Sequence, residues 1–151
     1  MIQLQEIDIL SLQPALKLGK DRHGSTVIFD PLRKSYVPST PEEVVRQLWI
    51  IYFMDVAHVS KKLISVERSF QHNTMTRRFD LVIFDRLTQP LLLAEFKGPE
   101  IKIGQSTFDQ IARYNMELKV PYSLISNGLD HYCFQIDDEN KRFVWQEKLP
   151  F

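Results

Sequence analysis

The chain has 151 residues, 44% of them hydrophobic and 25% charged, which is the size and mix of one ordinary globular domain with enough apolar surface to bury a core. Its formal net charge is zero and its pI is near 6.9, which excludes a whole-surface attraction to nucleic acid and confines any phosphate binding to local patches. There is no run of ~18 apolar residues, and the opening MIQLQEIDIL lacks a basic start and an apolar centre, so a cytoplasmic protein with no membrane partner is expected.

Leu16 to Leu18 and Thr26 to Phe29 flank a turn holding Gly19 and Gly24 and predict an N-terminal β-hairpin. The glycine spacing superficially resembles a phosphate-binding loop, but Ser25 stands where such a loop needs lysine, so that reading is rejected. A helix should begin after Thr40, a good N-cap. Pro41 suits the first helical position, and Glu43 completes a capping box. Val45, Leu48, Trp49, Tyr52, Phe53 and Val56 recur at helical spacing as its buried stripe, while Glu43, Arg46 and Gln47 share another face.

Ile64 to Phe70 reads as a strand, and Phe79 to Phe84 and Pro90 to Lys97 as a hairpin around the polar break Asp85 to Gln89. Folding back between Leu87 and Thr88 makes opposed residue numbers sum to about 175, which sets Asp80 against Glu95. Side chains alternate along a strand, so Lys97 shares the face of Glu95 while Phe96 points away. Two carboxylates that close repel unless a proton or cation sits between them, and a divalent metal is the usual solution. The hairpin is apolar on both faces, so it needs a layer on each side, which two helices could supply. After a loop from Gly98 to Gly104 a second helix is expected from about Thr107 to Leu118, with Phe108, Ile111, Ala112 and Asn115 on one side and Gln110 and Tyr114 on a neighbouring one. Strands at Tyr122 to Ser126, Tyr132 to Ile136 and Phe143 to Gln146 follow. The order helix, three strands, helix, strand around a mixed sheet is an α/β sandwich.

The local basic candidates are Arg33-Lys34, Lys61-Lys62 and Arg77-Arg78, the last directly before Asp80. Cys133 is the lone cysteine and reads as a small apolar strand residue. His23, His58, His72 and His131 show no metal-ligand spacing and are expected at the surface.

With Asp80, then Glu95-Phe96-Lys97 on the next strand, a preceding helix carrying Glu43 and a following helix carrying Gln110-xxx-Tyr114, the chain resembles the PD-(D/E)XK nuclease domains. More closely, it is similar to the N-terminal domain of type I restriction enzyme R (HsdR) subunits. The phrases that carry this are Pro41 to Gln47, Arg78 to Asp85, Pro90 to Gly98 and Phe108 to Tyr114, within a stretch from roughly Thr40 to Gly128. The resemblance implies an α/β restriction-endonuclease-like fold, a central mixed β-sheet flanked by helices with an N-terminal β-hairpin. In that reading residues 1–151 form one domain, with a β extension over 1–39, the nuclease-like core over 40–128 and C-terminal strands over 129–151.

It also implies a Mg2+ or Mn2+-dependent endonuclease acting on DNA. Asp80, Glu95 and the backbone carbonyl of Phe96 would bind the metal, Lys97 would orient or deprotonate water, Glu43 would be a further acid near the metal, and Gln110 and Tyr114 would contact Lys97 or the phosphate. R subunits continue into a helicase motor and this sequence shows no nucleotide-binding loop, so a nuclease-like module without its motor is expected. The protein partners left open are a separate motor or recognition protein and a second copy of the chain.

Each residue also has a plainer role. Glu95 and Lys97 could be an ordinary i, i+2 ion pair, Asp80 a strand-end acid beside Arg78, Glu43 only a cap, and Gln110 and Tyr114 polar edges of an amphipathic helix. The corresponding rival function is a non-catalytic nucleic-acid or protein-interaction module that keeps the nuclease fold.

Overall fold

The computed structural model of the chain describes residues 1–72 and 75–151. A 3-10 turn over Ile9–Ala15 leads into a three-stranded antiparallel sheet of β1 (Leu18–Lys20), β2 (Thr26–Asp30) and β3 (Ser35–Pro38). The hairpin expected from Leu16 therefore begins two residues later, and it gains a third strand. Helix α1 (Pro41–Ile51) follows, with the Thr40 side chain accepting from the Glu43 amide as the capping box requires. The helix runs on into a π-helical turn over Tyr52–Val56. Val45, Leu48, Trp49 and Phe53 are buried as the stripe predicted, but Val56 is 48% exposed, because the wider turn rotates it off the stripe.

The second sheet has six strands in the order β4 (Ile64–His72), β5 (Met75–Phe84), β6 (Pro90–Phe96), β7 (Tyr122–Ser126), β8 (His131–Asp137) and β9 (Arg142–Gln146). It is mixed: β6 and β7 run parallel, joined by helix α2 (Gln105–Leu118), and every other neighbour pair is antiparallel. A parallel pair needs a crossover of this length, and a helix fills it. Helix α2 starts at Gln105, two residues before the expected Thr107. It closes on Lys119 in the left-handed conformation, where the Asn115 side chain bonds both Val120 backbone groups and Ser123.

Each face of the six-stranded sheet is covered. On one side Val45, Leu48, Trp49 and Phe53 pack with Leu81, Ile83, Leu92, Ala94, Phe96 and Leu124. On the other, Phe108 and Ile111 cover Ile125 and Phe134, while Tyr114 and Leu118 lie against Phe79, Val82 and Leu93. Cys133 is buried, and burial pushes its thiol up to about 12, so it behaves as an apolar strand residue. Among the described residues no helix is long and apolar enough to cross a membrane.

Candidate active site

The hairpin register is the foundation of the site. Leu81 pairs with Ala94, Val82 with Leu93 and Ile83 with Leu92, the spacing that opposes Asp80 to Glu95. A bulge shifts Phe84 onto Pro90 beside the turn. The ladder ends at Leu81, and beyond it β5 pairs only with β4. The two strands thus splay where the acids sit. The Asp80 side chain bridges the gap, its Oδ2 accepting from the Phe96 amide at 2.7 Å. A backbone donor that the ladder no longer satisfies is met by the carboxylate instead.

A second irregularity decides which basic residue joins the acids. Val82 and Phe79 both lie on the α2 side although they are three apart, and Leu81 lies on the α1 side. Strict alternation would separate Phe79 from Val82. The phase slips at Asp80 and at its strand neighbour Glu67, which has a left-handed backbone with φ +54°. The slip turns Arg77, and not Arg78, toward Glu95. Arg77 Nη2 donates to Glu95 Oε1 at 3.0 Å, and its guanidinium lies 4.7 Å from the Tyr114 ring centre and 5.5 Å from that of Phe79. The buried Nε of Arg77 has no acceptor among the described residues.

Glu95 is 7% exposed. Burial, then the charge of Asp80 and a hydrogen bond with it, outweigh the attraction of Arg77 and Lys97, so its carboxyl is pushed up to about 8. The register sets the two carboxyl groups opposite each other, and the raised Glu95 carboxyl favours a proton or a cation over a bare charge. Lys97 lines a cleft of about 590 Å³ between the start of α1 and the end of β6, together with Glu42, Glu43, Arg46, Gly98 and Glu100.

Glu42, beside Glu43 on the first turn of α1, lines the same cleft as Lys97. Its carboxyl is raised first by burial and then by Asp80, with Lys97 pulling the other way. Glu43 is engaged elsewhere. It is buried and accepts from Arg33 Nη2 at 2.7 Å and from Arg46 Nε at 2.9 Å. It belongs to a network in which the fully buried Asp30 accepts from Arg33, Gln47 and two backbone amides. Burial would raise the Asp30 carboxyl, but those donors together hold it below the usual carboxylate range. Arg46 Nη1 also donates to the Asp80 carbonyl at 3.3 Å, which ties the network to the site. Glu67 lies within 3.7 to 3.8 Å of Arg33, Arg46 and Arg78.

Of the two residues expected from α2, Tyr114 stacks on Arg77, while Gln110 is exposed and makes no side-chain hydrogen bond among the described residues. His131 corrects another expectation: it is buried, bonds Ser126 Oγ through Nδ1 at 2.7 Å and meets Trp49 edge-on. Its ring pKa is lowered by burial against the pull of Asp130 and Asp8. The continuous apolar run Tyr132-Cys133-Phe134 directly after His131 was the signal for a strand end buried on both faces. The side chain of His72 lies outside the described residues. Among the described residues there is no group of three or more His, Cys, Asp or Glu side chains able to hold a metal. An ion between Asp80 and Glu95 would therefore need oxygen from backbone, water or substrate.

This is an α/β fold with an acid pair at a strand splay and a lysine beside it. Residues 41–150 match the family described as the N terminus of the type I restriction enzyme R protein (HSDR_N). The chain belongs to that family. A solved fragment assigned as an HsdR subunit of a type I restriction enzyme from Vibrio vulnificus YJ016 is similar at 18% identity with a TM-score of 0.38, over 58% of this chain and 18% of that one. No curated protein matches.

Proposed function

We propose that the chain is a PD-(D/E)XK-type nuclease domain that hydrolyses DNA phosphodiesters with Mg2+ or Mn2+ at Asp80 and Glu95. The observation that carries this reading is the splay of β5 and β6 at the opposed acids Asp80 and Glu95, where Asp80 accepts from the Phe96 amide and its charge raises the buried Glu95 carboxyl. Two oxygen-only side chains at one point suit a hard divalent ion, with the Phe96 carbonyl as a further ligand. Such an ion supplies Lewis-acid stabilisation of phosphate charge and makes water more acidic.

The chain's own residues do the rest. Asp80 is fixed by the Phe96 amide, and Arg46 holds its carbonyl. Lys97 orients the attacking water, assists its deprotonation and interacts with the scissile phosphate. Glu42 lines the cleft with Lys97, so the role of auxiliary acid is assigned to it, while Glu43, held by Arg33 and Arg46, acts by positioning Arg46. Tyr114 acts through Arg77.

A second reading, a non-catalytic interaction module that keeps this fold, is favoured by one observation: Arg77 already neutralises Glu95. Cleavage of a labelled DNA in Mn2+ by wild type, Lys97→Ala and Asp80→Asn, prepared identically, separates the two. The nuclease reading requires losses on the order of 10²-fold or more in both variants. Equal cleavage by all three assigns the activity to contamination and leaves the interaction module standing.

A further inference from the structure

The β5–β6 ladder ends at Leu81 and Ala94, but β4 and β5 continue together as a two-stranded arm, pairing Arg68 with Phe79, Ser69 with Arg78, Phe70 with Arg77 and Gln71 with Thr76. Its sequence is unlike the rest of the chain. From Arg68 to Phe79 there are three arginines and no Asp or Glu, in a protein whose 19 basic residues are balanced by 19 acids. The remaining residues are therefore net negative by three.

One face of the arm rests on α2 through Phe70, Phe79 and Tyr114. Arg68, Ser69, Gln71, Thr76 and Arg78 are exposed. Arg68 lies over the Phe84 ring at 5.8 Å, on the α2 side, while Arg78 alternates to the other side, where its nearest acid is Glu67 at 3.8 Å. An ion pair that long and that exposed contributes little and is readily exchanged.

Resting on the nuclease reading above, we infer that this arm grips duplex DNA, lying in a groove with Arg68 and Arg78 set toward the phosphates of opposite walls. The major groove, about 12 Å wide, admits a two-stranded β-ribbon. Asp80 follows Arg78 by two residues, roughly 7 Å along a strand, so a duplex held by the arm brings a phosphate to the acid pair. Arg77 between them is already committed to Glu95 and Tyr114. The arm also supplies binding energy that a net-neutral protein otherwise lacks, and a nuclease needs such energy to position its phosphate.

The test is fluorescence anisotropy of a labelled 20-base-pair DNA duplex across a KCl series in EDTA, which prevents cleavage, using the full chain. Each lost phosphate contact lowers the salt slope by about 0.9, so Arg68→Ala/Arg78→Ala should lower it by about 2 and weaken binding on the order of 50-fold at 0.1 M salt. Lys61→Ala/Lys62→Ala removes the same charge from another exposed site and should change the slope little. Melting curves of both variants establish that they fold. Equal effects of the two pairs, or an unchanged slope in the arm variant, overturn the arm while leaving the nuclease reading to its own cleavage test. A wild type that fails to bind duplex also overturns the arm, and cleavage in Mn2+ still decides the nuclease reading. An A-form RNA duplex bound as tightly as DNA overturns the groove docking, since its major groove is too narrow for a ribbon.

Discussion

Replacing Glu95 by glutamine tests the electrostatic basis of the site without touching its packing. In the metal-free protein the Glu95 carboxyl is raised from 4.5 to about 8. The folded state thus holds this proton more tightly than the unfolded chain does. The sign follows: its contribution to stability is fully present below pH ~4.5, declines as pH rises, and is lost above ~8. Linkage sets the full loss at about 5 kcal/mol, and relaxation that admits water to the carboxylates lowers it toward about 2 kcal/mol. Urea unfolding in EDTA from pH 5 to 8.5 measures it. Wild type should lose stability toward the alkaline end of this range, whereas Glu95→Gln, which has no proton to lose at this position, should lack that alkaline decline. Mn2+ should restore the wild type most at the alkaline end, because an ion replaces the missing proton. Parallel curves for the two proteins in EDTA would refute the claim that Asp80 and burial act on Glu95.

Asp80→Asn keeps an oxygen for the Phe96 amide and should fold normally while binding Mn2+ far more weakly by calorimetry; Asp80→Ala should instead cost about 1–3 kcal/mol in urea melts for the stranded donor. Asp30→Ala leaves Arg33 and Gln47 without their buried acceptor, and denaturant melts should show a loss of about 3–5 kcal/mol. The His131 ring has a depressed pKa, so its contribution is present above its unfolded value near 6.5 and is lost as pH falls below it. His131→Gln should flatten that acid limb of the stability profile, and an unchanged limb would refute the assignment.

How far the sequence reached is clearest at the hairpin. Two strongly apolar strands around a polar break leave one register that buries both faces, so the opposition of Asp80 to Glu95 was legible. The phase slip beside it was not. Glu67 adopts a positive φ that its residue type does not signal, and only that slip selects Arg77 over Arg78. The side-chain partners of Glu43 were hidden for a related reason. The capping box correctly located the start of α1, but neighbours on a helix diverge by about 100°, and Arg33, whose partnership depends on the Asp30 turn, engages the Glu43 carboxylate. The strand at Ser35–Pro38 was missed because its four residues end in proline and show little alternation.

The network from Asp30 through Glu43 and Arg46 to the Asp80 carbonyl also bears on where this protein can be cut. The family match begins at Pro41, a natural place to trim an expression fragment. A fragment starting there would discard Asp30 and Arg33 together, leaving Gln47 without its nearer acceptor and Glu43 with one guanidinium in place of two. The site residues would all be retained in sequence, yet the brace behind Asp80 would be gone. The structural unit therefore extends upstream of the family boundary, because the turn after β2 braces the Asp80 backbone through Glu43 and Arg46.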